Sequence, residues 1–396
     1  MHIYRKYRYL YFLPVLLFVN SCNNNSNEFH FKSFVADTHN DVLLRSLIGE
    51  DILTELPDSQ SDLVKFQKGG MDLEIFSIWV SPYEFKPEES FEQANKMIIR
   101  LEDLCDQSGG KWSLTKNYQE LIYNDQRGIL SCMIGVEGGH AIENNLVNLD
   151  ALYSRGMRYL SITWNNSTDW ATSAKDETLN KDSLEFIGLT DFGKDVIRRC
   201  NELGIMVDVS HAGEQTFWDI MSITKKPIIA SHSSAYYLCP HFRNLKDDQL
   251  MAIKENGGVV FVNYYPSYID STFSQKAKAV RESYQPQLDS LAALFDPDGD
   301  EIWYEENKLL LPALQNIAPT VDAIIDHIVY LTMLMGTDHV GLGADWDGVE
   351  VMPRGIEDVT KLPIITKKLL ERGISKADVR KILGENLKRV FKEVTK

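Results

Sequence analysis

The sequence has no pair of cysteines at the spacing of a zinc-binding or redox motif. Its five cysteines stand apart from one another, at positions 22, 105, 132, 200 and 239. The absence of a CxxC pair argues against a zinc site built from thiolates. Cys132 and Cys200 lie in apolar segments and are predicted to be small core residues. One disulfide would be compatible with an exported protein, but the spacing does not select a pair.

Positive charge is also scarce in this chain. The sequence has 41 Lys and Arg against 57 Asp and Glu, and its formal net charge is −16. Such an acidic body argues against nucleic acid as a partner, and against anionic lipid bound through the folded surface. No glycine-rich dinucleotide or P-loop fingerprint follows the first predicted strand, so nothing points to a nucleotide-binding fold.

The N terminus lacks a hydrophobic run long enough to span a bilayer. The apolar run at residues 9–19 follows Arg5, Lys6 and Arg8, and this order is typical of a signal peptide. The next residues, VNSC at 19–22, resemble a bacterial lipoprotein cleavage box. We therefore expect residues 1–21 to be a lipoprotein signal peptide and Cys22 to carry the lipid.

This interpretation predicts a bacterial lipoprotein, exported to the periplasm or the cell surface and held to a membrane by the lipid on Cys22. Residues 22–28 contain the run NNNSN and are expected to form a solvated tether. An ordinary secretory signal followed by an incidental cysteine is the alternative. Residues 29–396 are predicted to form a single catalytic domain.

The remaining chain alternates strand-like apolar segments with helical segments. The predicted strands are residues 34–41, 71–80, 128–136, 157–164, 205–209, 227–230, 259–264 and 339–344. Eight strands that alternate with helices predict an α/β fold of the closed (β/α)8 TIM-barrel type. Residues 266–319 interrupt the alternation and are predicted to be an insertion, which is partly helical.

Several predicted strands end in a residue that can bind a metal ion. The candidates are His39, Asp41, Glu137, His211, His232 and Asp345. Because the carboxyl ends of all the strands lie at the same rim of a parallel barrel, these side chains are expected to converge. Imidazole and carboxylate suit zinc and, less selectively, manganese, iron or cobalt. For any single histidine, burial with hydrogen bonds to the backbone is the alternative.

Six candidate ligands exceed the needs of one tetrahedral ion, so we expect two ions that share a carboxylate. Glu137 is the best candidate for the bridge, because it is flanked by glycines in GVEGGH. Two metal ions would lower the pKa of a shared water and hold the oxygens of the reacting group. The expected chemistry is hydrolysis of an amide, an ester or a phosphoester.

Longer motifs resemble those of the membrane (renal) dipeptidase family. They are DTHND at 37–41, GVEGGH at 135–140, VDVSH at 207–211, SHSSAYYLCPHFRN at 231–244, GLGADWDGV at 341–349 and IEDVTKLP at 356–363. The resemblance covers the mature chain in order. It implies a (β/α)8 barrel, a binuclear zinc site and hydrolysis of small dipeptides, among them dipeptides with a C-terminal D-residue.

The resemblance also implies a role for individual residues. His39 and Asp41 would bind one zinc ion, and His211 and His232 would bind the other, with Glu137 between the two ions. Asp345 would handle the proton. Arg243 would bind the terminal carboxylate of the substrate, a role that suits a guanidinium. A surface ion pair of Arg243 with Asp247 or Asp248 is the alternative.

The chain departs from the family pattern at two positions. The fourth strand of the family typically ends in Thr-His, where the histidine is taken to stabilise the tetrahedral intermediate. This sequence has Trp164 instead, which we expect either to contact substrate or to pack at the barrel mouth, with Asn165 or Asn166 as a substitute donor. Trp170 and Tyr264 are expected beside Trp164. Cys239 matches a disulfide cysteine of relatives, but no later cysteine exists to pair with it.

Two other functions are compatible with the same residues. One is a different amidohydrolase-type barrel that acts on lactams, cyclic amides or phosphoesters, although the fourth strand has no terminal lysine to be carbamylated. The other is a non-catalytic binding lipoprotein, which the loss of the histidine at Trp164 keeps open. A homodimer is a further expectation that the sequence does not test.

Overall fold

The strands of the protein form one parallel sheet that curves into a barrel. A computed structural model describes residues 26–295 and 299–395. The strands are β1 Ala36–Asn40, β2 Leu73–Trp79, β3 Trp112–Leu114, β4 Leu130–Glu137, β5 Met157–Ser161, β6 Met206–Asp208, β7 Ile229–Ala230, β8 Val259–Val262 and β9 Val340–Leu342. Every strand pairing is parallel, in the order β1-β2-β4-β5-β6-β7-β8-β9, and β3 adds to β4 outside this ring.

The ring closes where β9 returns to β1. A parallel bridge joins Asn40 to Trp346, and the Asp41 amide donates to the carbonyl oxygen of Trp346 at 2.8 Å. The predicted eight-stranded barrel is therefore confirmed. β3 is an addition that the sequence analysis missed, because three residues are too short for an alternating pattern.

Helices surround the barrel and cover its outer face. They are α1 at residues 26–30, α2 Leu43–Leu47, α3 Leu63–Gly69, α4 Ser90–Gln107, α5 Tyr118–Asp125, α6 Leu146–Arg155, α7 Ala174–Leu179, α8 Asp191–Leu203, α9 Glu214–Ile223, α10 Asp247–Glu255, α11 Pro266–Ile269, α12 Phe273–Ser283, α13 Gln285–Ala292, α14 Asp300–Ile317, α15 Val321–Met335, α16 Leu362–Glu371, α17 Lys376–Arg380 and α18 Asn386–Val394. None of the helices in the described ranges is long and apolar enough to cross a membrane.

Local sequence explains where several helices begin and end. α8 begins after Thr190, whose hydroxyl accepts a hydrogen bond from the Gly193 amide, and it ends at Gly204, which has a φ of 80°. These are the expected N-cap and C-cap chemistries. The residues at the two ends of this segment therefore account for both bounds of α8.

The domain begins slightly earlier than predicted. Residues 26–30 form α1, in which Phe29 and His30 are buried. The last residues of the predicted tether, 26–28, therefore belong to the folded body. The predicted signal peptide at 1–21, the lipidated Cys22 and the start of the tether lie outside the described residues.

The predicted insertion at 266–319 is helical, and it consists of α11, α12, α13 and α14. It has its own small apolar core, which includes Phe273, Leu288, Leu310 and Leu314. This core holds α14 over the end of the barrel at which the strands finish.

Cys105, Cys132, Cys200 and Cys239 are all free thiols. Cys132 and Cys200 are buried in the apolar core, as predicted. The part of the chain that the structure describes contains no disulfide, so Cys239 is unbridged, as the sequence analysis expected.

Candidate active site

The six predicted metal-site residues lie together at the carboxyl ends of the strands. His39 lies in β1 and Glu137 ends β4, while Asp41, His211, His232 and Asp345 follow β1, β6, β7 and β9. All six are buried. The strand ends therefore bring together side chains that are up to three hundred residues apart in the chain.

Glu137 lies at the centre of this cluster. Its Oε2 is 3.4 Å from the Nε2 of His39, and that nitrogen is 3.5 Å from Oδ2 of Asp41. Its Oε1 is 3.0 Å from the Nε2 of His211 and 3.5 Å from that of His232. Each carboxylate oxygen of Glu137 therefore faces a different set of potential ligands.

Hydrogen bonds on the far side of each imidazole orient its Nε2 toward the cavity. The Nδ1 atoms of His39, His211 and His232 lie 2.7 Å from Tyr159 Oη, 3.1 Å from Asn165 Oδ1 and 2.8 Å from Ser231 Oγ, respectively. Such bonds select the tautomer and ring orientation that metal binding needs. Asn165 is thus engaged with His211, and the side-chain amide of Asn166 donates to Ser167.

Tyr159 is a functional residue that the sequence analysis missed. Its ring fills space over Gly135, where a Cβ atom would lie 2.0 Å from the tyrosine ring. A larger residue at position 135 would therefore displace the hydroxyl that orients His39. A glycine inside a buried strand is the signal that could have indicated this close approach.

Two residues at the rim have left-handed backbone conformations that their residue types do not predict. His211 and Asp345 have φ values of 65° and 68°, in the left-handed region that is unfavourable for residues other than glycine. Gly348 leaves room for two carboxylates, since a Cβ there would lie 2.3 Å from Asp41 and 2.4 Å from Asp345. The site therefore depends on strained backbone at His211 and Asp345, and on a glycine at position 348 that lets the two carboxylates come close.

Burial and charge set the protonation states of the cluster. Burial, and then the nearby Arg243, lower the pKa of His211 to about 3, and burial also holds the pKa of His232 well below its usual range. Burial acts to raise the pKa of Glu137, but His39 and the hydrogen bonds from the histidines hold it well below its usual range. Neutral His211 and His232 beside an ionised Glu137 are in the forms that bind metal. Burial acts to lower the pKa of His39, but Tyr159, Glu137 and Asp41 raise it well above its usual range, so His39 would give up a proton when it binds an ion.

The residues fit a divalent metal ion. Nε2 of His39 is buried and makes no hydrogen bond within the described ranges, although it lies among carboxylate oxygens. Ligand atoms of His39, Glu137 and His232, and those of His39, Asp41 and Asp345, lie within 4.8 Å of one another. An imidazole and carboxylate set of this kind suits zinc.

Asp345 lies beside the cluster with a different electrostatic character. Burial raises the pKa of Asp345 to about 7. Its Oδ2 accepts a hydrogen bond from Nδ2 of Asn263 at 2.9 Å. A carboxyl group with this pKa can accept and return a proton near neutral pH.

Arg243 is buried and points into the cavity, and no carboxylate of the described residues forms an ion pair with it. Its Nη2 donates to the His232 carbonyl oxygen at 3.3 Å, and its guanidinium lies 5.4 Å from the centre of the Tyr268 ring. Nε of Arg243 has no hydrogen-bond partner among the described residues. The alternative of a surface ion pair with Asp247 or Asp248 is therefore wrong.

A cavity of about 460 Å³ lies above the cluster. Trp79, Tyr83 and Trp164 line one side of it, and Arg243 and Tyr268 line another. Ile302, Trp303 and Tyr304 of α14 also line it, so the insertion covers part of the cavity.

The aromatic residues at the barrel mouth are not all those that were expected. Trp164 follows β5 and packs against Trp79, with the two ring centres 5.0 Å apart. Trp170 and Tyr264 are instead buried in the core and do not line the cavity, since they pack against Phe192 and Trp346. The expectation that Trp170 and Tyr264 line the mouth is therefore wrong.

Comparisons with known proteins agree with this geometry. The family model described as membrane dipeptidase (peptidase family M19) matches residues 24–396. An uncharacterised dipeptidase of Schizosaccharomyces pombe is 31% identical over 379 residues, which are 91% of this chain and 80% of the relative.

Solved structures have the same architecture. A metallopeptidase from Rhodobacter sphaeroides, solved with a phosphinate mimic of L-Ala-D-Ala, is 25% identical, with a TM-score of 0.73 and coverage of 92% of this chain and 100% of that one. The probable dipeptidase PvdM of Pseudomonas aeruginosa has a TM-score of 0.78 at 24% identity, covers 95% of this chain and 99% of its own, and supports the fold alone. Together, the family match and the assembled metal cluster establish that this chain belongs to the membrane dipeptidase family, peptidase family M19, and is a metallo-dipeptidase.

Proposed function

We propose that this protein hydrolyses dipeptides with two zinc ions held on either side of Glu137. His39 and Asp41 would bind one ion, and His211 and His232 would bind the other. The observation that carries the proposal is that the two oxygens of Glu137 face different histidines, at 3.4 Å for His39 and 3.0 Å for His211. A carboxylate placed in this way can serve both ions at once.

His39, Asp41, Glu137, His211 and His232 would hold the zinc, and when bound it would supply an acidified water and polarise the carbonyl group of the substrate. The chain supplies the proton transfer through Asp345, whose carboxyl group has a pKa of about 7 and is oriented by Asn263. Asp345 accepts the proton of the attacking water and donates it to the leaving amine. Both steps need a group that titrates near the working pH.

Arg243 would select dipeptides by binding the terminal carboxylate. Arg243 is 3% exposed and its guanidinium lacks a carboxylate partner in the described part of the chain, so an anionic group of the substrate would complete its contacts. A carboxylate held there lies one residue from the scissile bond only in a dipeptide. A tripeptide or a dipeptide amide would place no charge at this position.

The stereochemistry and the location of the enzyme are further parts of the proposal. The R. sphaeroides neighbour was solved with a mimic of L-Ala-D-Ala, and we extend to this chain the acceptance of a D-residue at the carboxyl side. Export as a lipoprotein with lipid on Cys22 rests on the sequence of residues 1–22. Labelling with a radioactive fatty acid in cells, with Cys22→Ala as the unlabelled control, tests the anchor. Light scattering of the purified protein tests the expected homodimer.

The central experiment combines metal analysis with a matched set of substrates. The zinc-loaded protein should contain two zinc ions per chain and should hydrolyse Ala-Ala and Ala-D-Ala. Ala-Ala amide and Ala-Ala-Ala should be hydrolysed at least about tenfold more slowly, because they lack the charge-assisted contact with Arg243. Full activity with one zinc ion per chain, or faster cleavage of the tripeptide, would overturn the proposal.

Arg243→Lys tests binding of the substrate's terminal carboxylate separately from the hydrolysis step. The variant keeps the charge but loses the bidentate geometry, so its preference for Ala-Ala over Ala-Ala amide should fall about tenfold. Arg389→Lys, at a partly exposed arginine that does not line the cavity, is the control and should keep the wild-type preference.

A further inference from the structure

Asp208 is a buried carboxyl group that the proposed reaction does not use. It ends β6 and is fully shielded from solvent. Its Oδ1 accepts hydrogen bonds from the backbone amides of Ser231, at 2.7 Å, and Ser210, at 3.0 Å. Its Oδ2 accepts hydrogen bonds from the hydroxyls of Ser161 and Ser231, the latter at 2.7 Å. Four donors, at the ends of three adjacent strands, therefore hold this carboxyl group in place.

One of these donors also contacts a candidate metal ligand. Ser231 Oγ lies 2.8 Å from Nδ1 of His232. A hydroxyl has one hydrogen, and the nearby carboxylate of Asp208 is a better acceptor for it than Ser210 Oγ, which is 3.3 Å away. Ser231 therefore accepts a hydrogen bond from His232, so Nδ1 carries the proton and Nε2 keeps its lone pair. That Nε2 is the atom 3.5 Å from Oε1 of Glu137.

The charge of Asp208 sets the direction of this chain of hydrogen bonds. Burial raises the pKa of Asp208, whereas its four hydrogen bonds act in the opposite direction and favour the carboxylate. A carboxylate only accepts hydrogen bonds, so Ser231 must donate to it. A neutral amide in the same place would keep its oxygen at the two backbone amides and would donate from its NH2 group to Ser231. Ser231 would then donate to Nδ1 of His232, and Nε2 would carry the proton.

We propose that Asp208 is a positioning residue that acts through Ser231 to present the lone pair on Nε2 of His232 to a metal ion. This inference rests on the proposed metal site and adds to it a carboxylate two hydrogen bonds away. Outer partners of metal-binding histidines typically contribute a factor of about 10–100 to metal affinity. The Nδ1 of His211 lies near Oδ1 of Asn165 instead, so the effect should be specific to His232.

The test measures the zinc affinity of the full-length protein by competition with a chelator. Asp208→Asn should bind zinc at least about tenfold more weakly than the wild type, because the reversed chain places a proton on the ligating nitrogen. Asp62→Asn is the matched control and should keep the wild-type affinity. Asp62 is also fully buried and accepts hydrogen bonds from the amides of Lys65 and Leu56, but it caps α3 and does not line the metal cavity. An unchanged affinity in Asp208→Asn would overturn the proposal.

A double-mutant cycle separates this relay from a direct effect of charge. Ser231→Ala removes the middle of the relay and should also weaken zinc binding at least about tenfold. Without that hydroxyl, Asp208→Asn should have little further effect, so the double variant should bind zinc within about threefold of Ser231→Ala. If the two losses multiply instead, Asp208 acts independently of Ser231 and the relay is wrong.

Cobalt supplies a readout that a loss of stability alone does not change. The visible absorption spectrum of the cobalt-substituted protein depends on how strongly each ligand donates to the ion. This spectrum should change in Asp208→Asn and should keep its wild-type form in Asp62→Asn. A wild-type spectrum in both variants would contradict the proposal.

A serine pair keeps the test decisive if Asp208→Asn does not fold. Ser231→Ala is then compared with Ser131→Ala, at a buried serine of β4 whose hydroxyl accepts a hydrogen bond from Asn124 at 3.1 Å. Only Ser231→Ala should weaken zinc binding, and equal affinities in the two variants would overturn the relay. If the wild type neither binds zinc nor hydrolyses Ala-Ala, the proposed function itself fails.

Discussion

The two ends of the barrel interior have opposite chemistry. At the end where the strands begin, apolar side chains fill the interior and pack against α18. This lower cluster contains Phe34, Ala36, Leu73, Ile75, Leu121, Met133, Tyr159, Met206, Ile229, Val259, Phe261, Leu387, Val390, Phe391 and Val394. At the end where the strands finish, buried carboxylates and imidazoles converge on Glu137.

This difference indicates that the lower end of the barrel interior stabilises the fold, whereas the polar upper end reduces its stability. Burial raises the pKa of Asp37 and of Asp345 to about 7, so ionising either group in the upper half opposes folding. His211, Asp345 and Asp347 also have positive φ values at this end, while no residue of the lower cluster does. The lower half therefore stabilises the barrel, and this margin permits a strained, polar site above it.

Among the substitutions considered, replacing Glu137 should cause the largest loss of activity. Glu137→Gln removes the group that both sets of ligands share, so kcat/KM for Ala-Ala should fall at least about ten-thousandfold, because water far from a metal has a pKa near ~16 rather than ~7. Zinc per chain, measured by elemental analysis, should fall as well.

Glu74→Gln is the matched control for this substitution. Glu74 is also buried in the barrel wall, but burial raises its pKa well above the usual range, so glutamine resembles the uncharged form that burial favours. Activity should stay within about threefold of the wild type. An equal loss in both variants would mean that any change in a buried glutamate disables the barrel.

Truncating a side chain of the lower cluster should reduce stability but leave activity nearly unchanged. Phe391→Ala leaves a cavity at a fully buried position of α18 and should lower the free energy of unfolding by about 3 kcal/mol or more. The folded variant should keep kcat/KM for Ala-Ala within about twofold, since the site lies at the other end. Phe31→Ala, at a phenylalanine that is 54% exposed, should cost less than about 0.5 kcal/mol in urea unfolding.

Removing one hydroxyl tests the contact between the two halves. Tyr159 belongs to the lower cluster, yet its Oη lies 2.7 Å from Nδ1 of His39. Tyr159→Phe should weaken zinc binding about tenfold in a competition with a chelator, because the imidazole loses its orienting partner. Tyr264→Phe is the control, since the hydroxyl of buried Tyr264 has no hydrogen-bond partner in the described ranges. Equal affinities in the two variants would contradict a positioning role for Tyr159.

The smallest effect is expected at the aromatic wall of the cavity. Trp164→Phe keeps an aromatic ring against Trp79 but removes the indole N–H. If Trp164 acts by packing, kcat for Ala-Ala should change by less than about threefold, whereas loss of an essential oxyanion donor would cost a hundredfold or more. Steady-state kinetics distinguishes the two outcomes.

Much of the fold could be predicted, because buried parallel strands and their helices carry strong periodic patterns. The strands predicted at 71–80 and 259–264, for example, contain β2 and β8. β3 was not predicted, because its three residues provide no repeating pattern, whereas the two residues of β7 lie inside the strand predicted at 227–230. β5 was predicted to reach Trp164 but ends at Ser161, which places Trp164 in the loop that follows.

The site was partly predictable for a similar reason. His39, Glu137 and His232 stand at the ends of apolar segments, and a parallel barrel brings such ends to one rim. The contacts that orient them were not predictable, because Tyr159 reaches His39 across the barrel from a position 120 residues away. The burial of Arg243 at a place where no carboxylate of the described residues reaches it likewise depends on what packs around it.

The sequence by itself determined the barrel class, the kinds of metal-binding side chains and the rim on which they meet, since these follow from periodicity and from where each strand stops. Only the tertiary structure decided how the metal-binding side chains are oriented. One oxygen of Glu137 faces His39 and the other faces His211 and His232, because of distances between strands that are far apart in the chain. Local residue patterns encode elements, whereas distances and empty volumes arise from the packing of the whole chain.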